Sequence, residues 1–175
     1  VPRSDGIVTV SPPLVRALAQ QFGGPPAVLV RNLPPYHIVT RTDRLRQHLH
    51  LAPETRIILY QGLVQADRNL EVLVHTAQYL PTWVHIVLLG DGPQREALVE
   101  LSTQLGVSDR ITLVPAVPYN ELTEWTASAD VGIIVSVPDY SPNVRVFLPN
   151  KLFEFMMAGL PVLSTNLEAV AEIIN

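Results

Sequence analysis

The chain has 175 residues, 47% of them apolar and 16% charged, with a formal net charge of −4 and no cysteine. This suits one α/β domain with a sizeable core, excludes disulfides and thiolate metal sites, and leaves no clustered basic face for a nucleic acid. No apolar run approaches the roughly 20 residues needed to cross a bilayer.

Short apolar runs alternate with amphipathic stretches along the chain. Gly6 to Val10 reads as a strand; Ser11 with Pro12 has the form of an N-cap followed by a first-turn proline, which predicts a helix through Gln20 that stops at Gly23-Gly24. Ala27 to Val30 is a second strand, Asn32 to Tyr36 a proline-containing connector, and Thr42 to His50 a polar helix. Arg56 to Tyr60 is a strand, followed by a helix that Asp67 caps, with Leu70, Leu73, Val74, Ala77 and Leu80 on one face. His85 to Leu89 is the next strand. Gly90-Asp91-Gly92-Pro93 then turns into a helix that repeats Ala97, Leu98, Leu101 and Leu105.

Ile111 to Val114 is a strand; Asn120 is expected to cap a helix with Leu122, Trp125 and Ala129 facing inward. Val131 to Val135 is a strand that enters a long loop, Ser136 to Pro149. A helix from Asn150 to Gly159, a strand from Pro161 to Ser164 and a helix from Leu167 complete the order. Strands and helices alternating without hairpin signals predict βαβ units, hence a doubly wound parallel sheet with helices on both faces.

Ligands of open parallel sheets bind beyond the carboxyl ends of the strands, so three loops are candidates. In the first, Gln61 to Arg68, Gly62 permits close backbone approach and Arg68 can reach an anion; the same residues equally fit an ordinary turn with a solvated arginine. In the second, Arg95 stands where G-x-G-x-x-G needs its third glycine. A nicotinamide or flavin cofactor is therefore not expected, and a structural turn is the better account. In the third, Pro149-Asn150-Lys151 opens a helix whose free N–H groups and dipole favour a phosphate. Lys151, the only lysine in the chain, adds a point charge there. Glu154 shares a face with Asn150 and can accept hydrogen bonds from a ribose diol; a capped helix with a surface lysine and glutamate is the plainer alternative. The five histidines have no metal-ligand spacing, no G-x-S-x-G elbow surrounds Ser136 or Ser141, and Trp83 and Trp125 read as packing residues.

The run from Leu88 to Ile133, LLGDGPQREALVELSTQLGVSDRITLVPAVPYNELTEWTASADVGI, resembles the C-terminal domain of retaining glycosyltransferases of family 4, in the glycosyl transferases group 1 class, which have the GT-B fold. The run from Pro149 to Glu172, PNKLFEFMMAGLPVLSTNLEAVAE, resembles that family's nucleotide-sugar segment, and Tyr60 to Glu71 is similar to one of its subgroups. The resemblance implies two Rossmann-like domains across a cleft, of which the second binds the diphosphate of a UDP-, GDP- or ADP-sugar. It places residues 1–30 at the end of the first domain or in the interdomain crossing, with Asp5 to Ser11 as that domain's last strand. Residues 31–175 are then the donor domain, lacking its closing helices, and the acceptor domain is missing.

By this resemblance Glu154 is the second glutamate of an E-x7-E motif and binds the ribose hydroxyls. Pro149, Asn150 and Lys151 hold the diphosphate and donor sugar; Gly62 is the glycine of the first phosphate loop; Arg68 stands in for the basic residue that neutralises the diphosphate. Backbone near Ala116 and Val117 contacts the base, with Pro115 at a usual glycine position. The sequence departs from the pattern at Leu63, often an arginine in the family, and at Val146, the place of the first glutamate. Arg145 or Asp139 are candidates for the lost sugar contacts. The implied reaction is hexosyl transfer with retention and no divalent metal; no residue stands out as nucleophile or general base. The rival readings are a GT-B sugar-nucleotide epimerase, disfavoured by the absence of a His/Glu cluster, and a non-catalytic nucleotide-sugar-binding module. No signal-peptide pattern opens the chain. The expected location is cytoplasmic, with any peripheral membrane contact residing in the missing domain.

Overall fold

The computed structural model describes residues 4–137 and 140–174. Two parallel sheets are present among them. The smaller pairs β1 (Ile7–Thr9) with β2 (Ala27–Leu29) across the helix α1 (Pro12–Phe22). The larger contains β3 (Arg56–Gln61), β4 (Val84–Leu89), β5 (Ile111–Val114), β6 (Val131–Ile134) and β7 (Val162–Ser164), in the order β5-β4-β3-β6-β7 and parallel throughout. The chain winds outward from β3 to β5, then returns to the other side of β3. Such a reversal opens a crevice at the strands' carboxyl ends.

Alternation along the central strands divides the core in two. Ile57, Leu59, Val87 and Leu89 face one layer, packing with Leu45 of α2 (Arg44–His48), Trp125 of α5 (Tyr119–Thr126), Leu152 and Phe155 of α7 (Asn150–Met157), and Val170 of α8 (Glu168–Ile174). Tyr60, Ile86 and Leu88 face the other, against Leu70, Val74 and Ala77 in and beside α3 (Glu71–Ala77) and Leu98 of α4 (Arg95–Gln104). Burial on both faces is why these strands read as continuous apolar runs and not as alternating ones.

Two close approaches set the positions of the upper loops. A Cβ on Gly132, in β6, would stand 2.4 Å from the Phe155 ring, so the absent side chain is the space into which α7 packs. A Cβ on Gly90 would lie 2.0 Å from the Gly62 carbonyl oxygen, and one on Gly92 2.2 Å from that of Val64. The loops after β3 and β4 thus run backbone against backbone, joined by Gly62 N–H to Leu89 O and Val64 N–H to Asp91 O, both 2.9 Å. The G-D-G turn therefore packs backbone to backbone against the loop after β3.

At the opposite end of the sheet, Asp130 accepts from the Ile57 amide (2.8 Å), from Arg41 (2.6 Å), from Arg56 (3.1 Å) and from Arg46. Arg46 is buried and also donates to the Thr55 and Ser128 carbonyls. Burial works to raise the Asp130 carboxyl, but the amide and the three guanidinium groups outweigh it and hold the group below its ordinary value. This clamp ties the connector and α2 to the bottom of β3 and β6.

Three local expectations need correction. Asp67 caps no helix: it lies in a 3-10 turn, Ala66–Arg68, that ends at left-handed Asn69 (φ 53°), and α3 begins only after Leu70. Its carboxylate instead pairs with the neighbouring Arg68 at 3.4 Å. Asn120 lies inside α5, because Pro118 takes the cap position with its restricted φ and no N–H to satisfy. The expected loop from Ser136 to Pro149 holds a short helix, α6 (Pro142–Val146), capped by Ser141, whose Oγ accepts the Val144 N–H at 3.3 Å. The signal was present: Ser141-Pro142 repeats Ser11-Pro12, where Ser11 accepts the Leu14 N–H at the same distance. Of the two tryptophans read as packing residues, Trp125 is buried against Arg44 and His48, whereas Trp83 is mostly exposed.

α1 docks on α8 through Arg16, which reaches Glu168 at 2.7 Å and Glu172 at 2.5 Å. The buried Ser11 hydroxyl donates to the Val146 carbonyl at 2.7 Å. No helix among the described residues is long and apolar enough to cross a membrane.

Candidate functional site

A cavity of about 690 Å³ opens at the carboxyl ends of β3, β4 and β5, beside the first turn of α7. All eight residues singled out from the sequence line it: Gly62, Arg68, Ala116, Val117, Pro149, Asn150, Lys151 and Glu154. They come from three separate stretches, and the reversal of strand order next to β3 brings them to one place.

The cationic end is built around α7. Its cap, Pro149, offers no side-chain hydrogen bond, so the first-turn N–H groups point outward unsatisfied by a capping side chain. Lys151 extends along the wall with Nζ 3.7 Å from the centre of the Tyr60 ring. Burial, then the Arg68 guanidinium, push the lysine down to about 7, against the opposing pull of Glu154 and Asp67. Arg68 lies over the Phe147 ring at 5.2 Å. The Tyr60 hydroxyl donates to the Leu63 carbonyl at 2.7 Å, and burial pushes its phenol up. Gly62 (φ 125°) completes this end: Nζ of Lys151 is 3.2 Å from the place a Gly62 Cβ would take. Two cations, open amides and a glycine backbone make a receptor for a dianion or polyanion.

The cavity also carries the carboxylate of Glu154, on the same face of α7 four residues after Asn150. Asp91 holds the far wall, accepting the Ala116 N–H at 2.8 Å and so fixing the loop after β5. Val146 does not line the cavity; its carbonyl is engaged by Ser11. Arg145 is exposed and likewise outside the lining, and Asp139 lies outside the described residues. Gln61, Asp91 and Phe147 belong to the cavity although nothing in their spacing singled them out; the one available signal was Gln61, a polar residue ending the otherwise apolar run IILY. Among the described residues no three histidine, aspartate or glutamate side chains converge as a metal site would require.

Residues 55–175 match the family described as "Glycosyl transferases group 1". The D-inositol 3-phosphate glycosyltransferase of Xylanimonas cellulosilytica is 32% identical over 129 residues, covering 71% of this chain and 29% of that protein. The enzyme of the same name from Nocardia farcinica is 34% identical over 131 residues, covering 69% and 28%. Among solved structures, Anabaena Alr3699/HepE in complex with UDP and glucose superposes with a TM-score of 0.84 at 16% identity, over 98% of this chain and 47% of that one. WaaG, a glycosyltransferase involved in lipopolysaccharide biosynthesis, gives 0.75 at 19%, over 95% and 46%.

The fold is thus the three-layer, Rossmann-like α/β/α half of a GT-B architecture, and the chain belongs to the glycosyl transferases group 1 family. It spans under a third of the length of these two relatives.

Proposed function

We propose that this chain is the donor-binding part of a two-domain glycosyltransferase, which transfers a hexosyl group from a nucleotide-diphosphate sugar to an acceptor with retention of configuration. The observation that carries this reading is the convergence in one cleft of Arg68, Lys151, the α7 N-terminus without a capping side chain and the Glu154 carboxylate. A nucleoside diphosphate carries groups that match each of these. Its phosphates fit the cationic end, its ribose diol fits Glu154, and its base fits the backbone at Ala116 and Val117. UDP and UDP-glucose are the ligands named for the HepE complexes. In the reaction, Arg68, Lys151 and the helix amides stabilise charge growing on the departing diphosphate, a preorganised electrostatic contribution. Residues 1–30 belong to the end of an acceptor domain or to the crossing from it, and residues 31–175 form the donor domain.

A non-catalytic nucleotide-sugar-binding module is the second reading, favoured by Val146 at the family's first glutamate position. Thermal stabilisation by UDP-, GDP- and ADP-sugars tests the binding, because a ligand specific for the folded state raises the melting temperature. No stabilisation by any of them would sink both readings. Transfer or hydrolysis of the sugar nucleotide by the intact protein, lost in Glu154→Ala, separates enzyme from module.

A further inference from the structure

Beneath the cleft floor, Gln61 ends β3 with its side chain almost fully buried, at 2% exposure. Its amide nitrogen donates to Oε2 of Glu154 on α7 at 2.5 Å, and its amide oxygen accepts from Oγ1 of Thr126 on α5 at 2.8 Å. Thr126 is wholly buried. β3, α5 and α7 are thereby joined in one chain of polar groups: hydroxyl, amide, carboxylate.

We propose that Gln61, oriented by Thr126, is the positioning residue that fixes the Glu154 carboxylate toward a ribose diol, and so sets the selectivity of the cleft for ribonucleotides. This rests on the reading of Glu154 as the ribose ligand. The polarity of the chain supports it. The Thr126 hydroxyl has a single proton and two acceptors in reach, the Gln61 oxygen and the Leu122 carbonyl, each at 2.8 Å. Were that proton given to Leu122, the hydroxyl would have to accept from Gln61, and the amide oxygen would face the ionised carboxylate. Two acceptors would then oppose each other, a costly arrangement for the buried Gln61 amide. Ionised Glu154 therefore selects one amide orientation, and Thr126 holds it. One carboxylate oxygen is taken by Gln61, and Glu154 lines the cleft. A buried glutamine at a strand end has an apolar isostere available at little structural cost, so a bond to a carboxylate of the cleft gives it a specific task.

The test uses the intact protein. Affinities for UDP, GDP and ADP, for their 2′,3′-dideoxy counterparts, and for inorganic pyrophosphate are measured by calorimetry. The wild type binds its tightest nucleoside diphosphate on the order of 10- to 100-fold better than the dideoxy form, the range of a hydrogen bond to a charged group. Gln61→Leu and Thr126→Val each reduce that ratio to about threefold or less, Thr126→Val leaves pyrophosphate affinity unchanged, and Thr126→Ser restores the ratio. Wild-type ratios in Gln61→Leu and Thr126→Val, with a collapsed ratio in Glu154→Ala, overturn the proposal and leave the site reading intact. A parallel loss of pyrophosphate affinity in Thr126→Val reveals a structural role only and also overturns it. An undiminished ratio in Glu154→Ala, or no nucleoside diphosphate binding at all, overturns the site reading and this proposal together. If Gln61→Leu fails to fold, the Thr126 pair carries the same decision.

Discussion

The two ends of the central sheet handle charge in opposite ways. At the bottom, Asp130 is surrounded by Arg41, Arg46, Arg56 and the Ile57 amide, each of which donates to its carboxylate. At the top, Lys151 rests on an aromatic ring, the α7 amides have no capping side chain, and Arg68 lies over Phe147 and pairs with its neighbour Asp67. A satisfied cluster has nothing left with which to bind, and its contribution is to stability. An unsatisfied one holds its charge in readiness at a cost to the fold, and the depressed Lys151 records that cost. The same residue types therefore have different meanings at the two ends, and partner geometry tells them apart where composition does not.

The largest expected effect breaks the bottom cluster. Asp130→Ala leaves the buried Arg46 guanidinium without its carboxylate and should cost about 3 kcal/mol in denaturant unfolding, with nucleoside diphosphate affinity close to wild type. Because the folded carboxyl lies below its ordinary value, its stabilisation is present above the unfolded pKa of about 4 and lost as pH falls through the lower, folded value. An acid-unfolding curve unchanged by Asp130→Ala would remove the clamp from the account of stability.

Lys151→Ala is the converse. It should weaken UDP or GDP binding on the order of 10- to 100-fold while leaving stability at neutral pH unchanged or higher. Equal calorimetric affinities for variant and wild type would refute the phosphate end of the cleft.

Gly132→Ala sharpens the contrast by crossing it. The added methyl meets the Phe155 ring, displaces α7, and should lower stability by about 1–3 kcal/mol together with nucleotide affinity. A variant that loses stability but binds normally would show that α7 tolerates the shift.

The smallest effect is in proton balance. Lys151 titrates near 7 when folded and at about 10.5 when free, so the unfolded chain holds more protons between those values. Its contribution to stability therefore rises with pH across that window, and is at its most unfavourable below 7. A bound diphosphate favours the ammonium form, so binding at pH 8 should take up part of a proton. Calorimetry in buffers of different ionisation enthalpy reads that uptake, and Lys151→Ala should abolish it.

Strand positions and the cationic turn were legible in the sequence because both depend on neighbours: apolar runs for β3, β4 and β6, and Pro149-Asn150-Lys151 for the helix start. The gathering of eight residues from three loops followed from topology, once alternation had predicted a parallel sheet. Caps were less legible, since Asp67 and Asn120 have the right side chains and the backbone places Asn69 and Pro118 at the decisive positions. Gln61 gave only a weak signal, a polar residue that closes an apolar run and opens a candidate loop, because its side-chain partners lie 93 and 65 residues away.

The vacancy at Gly132 has a further consequence for how this chain can change over generations. Positions 132 and 155 share one volume, so each inherits the size limit of the other. A branched aliphatic at 155 would free 132 to carry a methyl, and the double substitution G132A/F155L should recover much of what G132A alone loses. Across descendants of this chain the two positions should vary as a couple, even though neither lines the cleft.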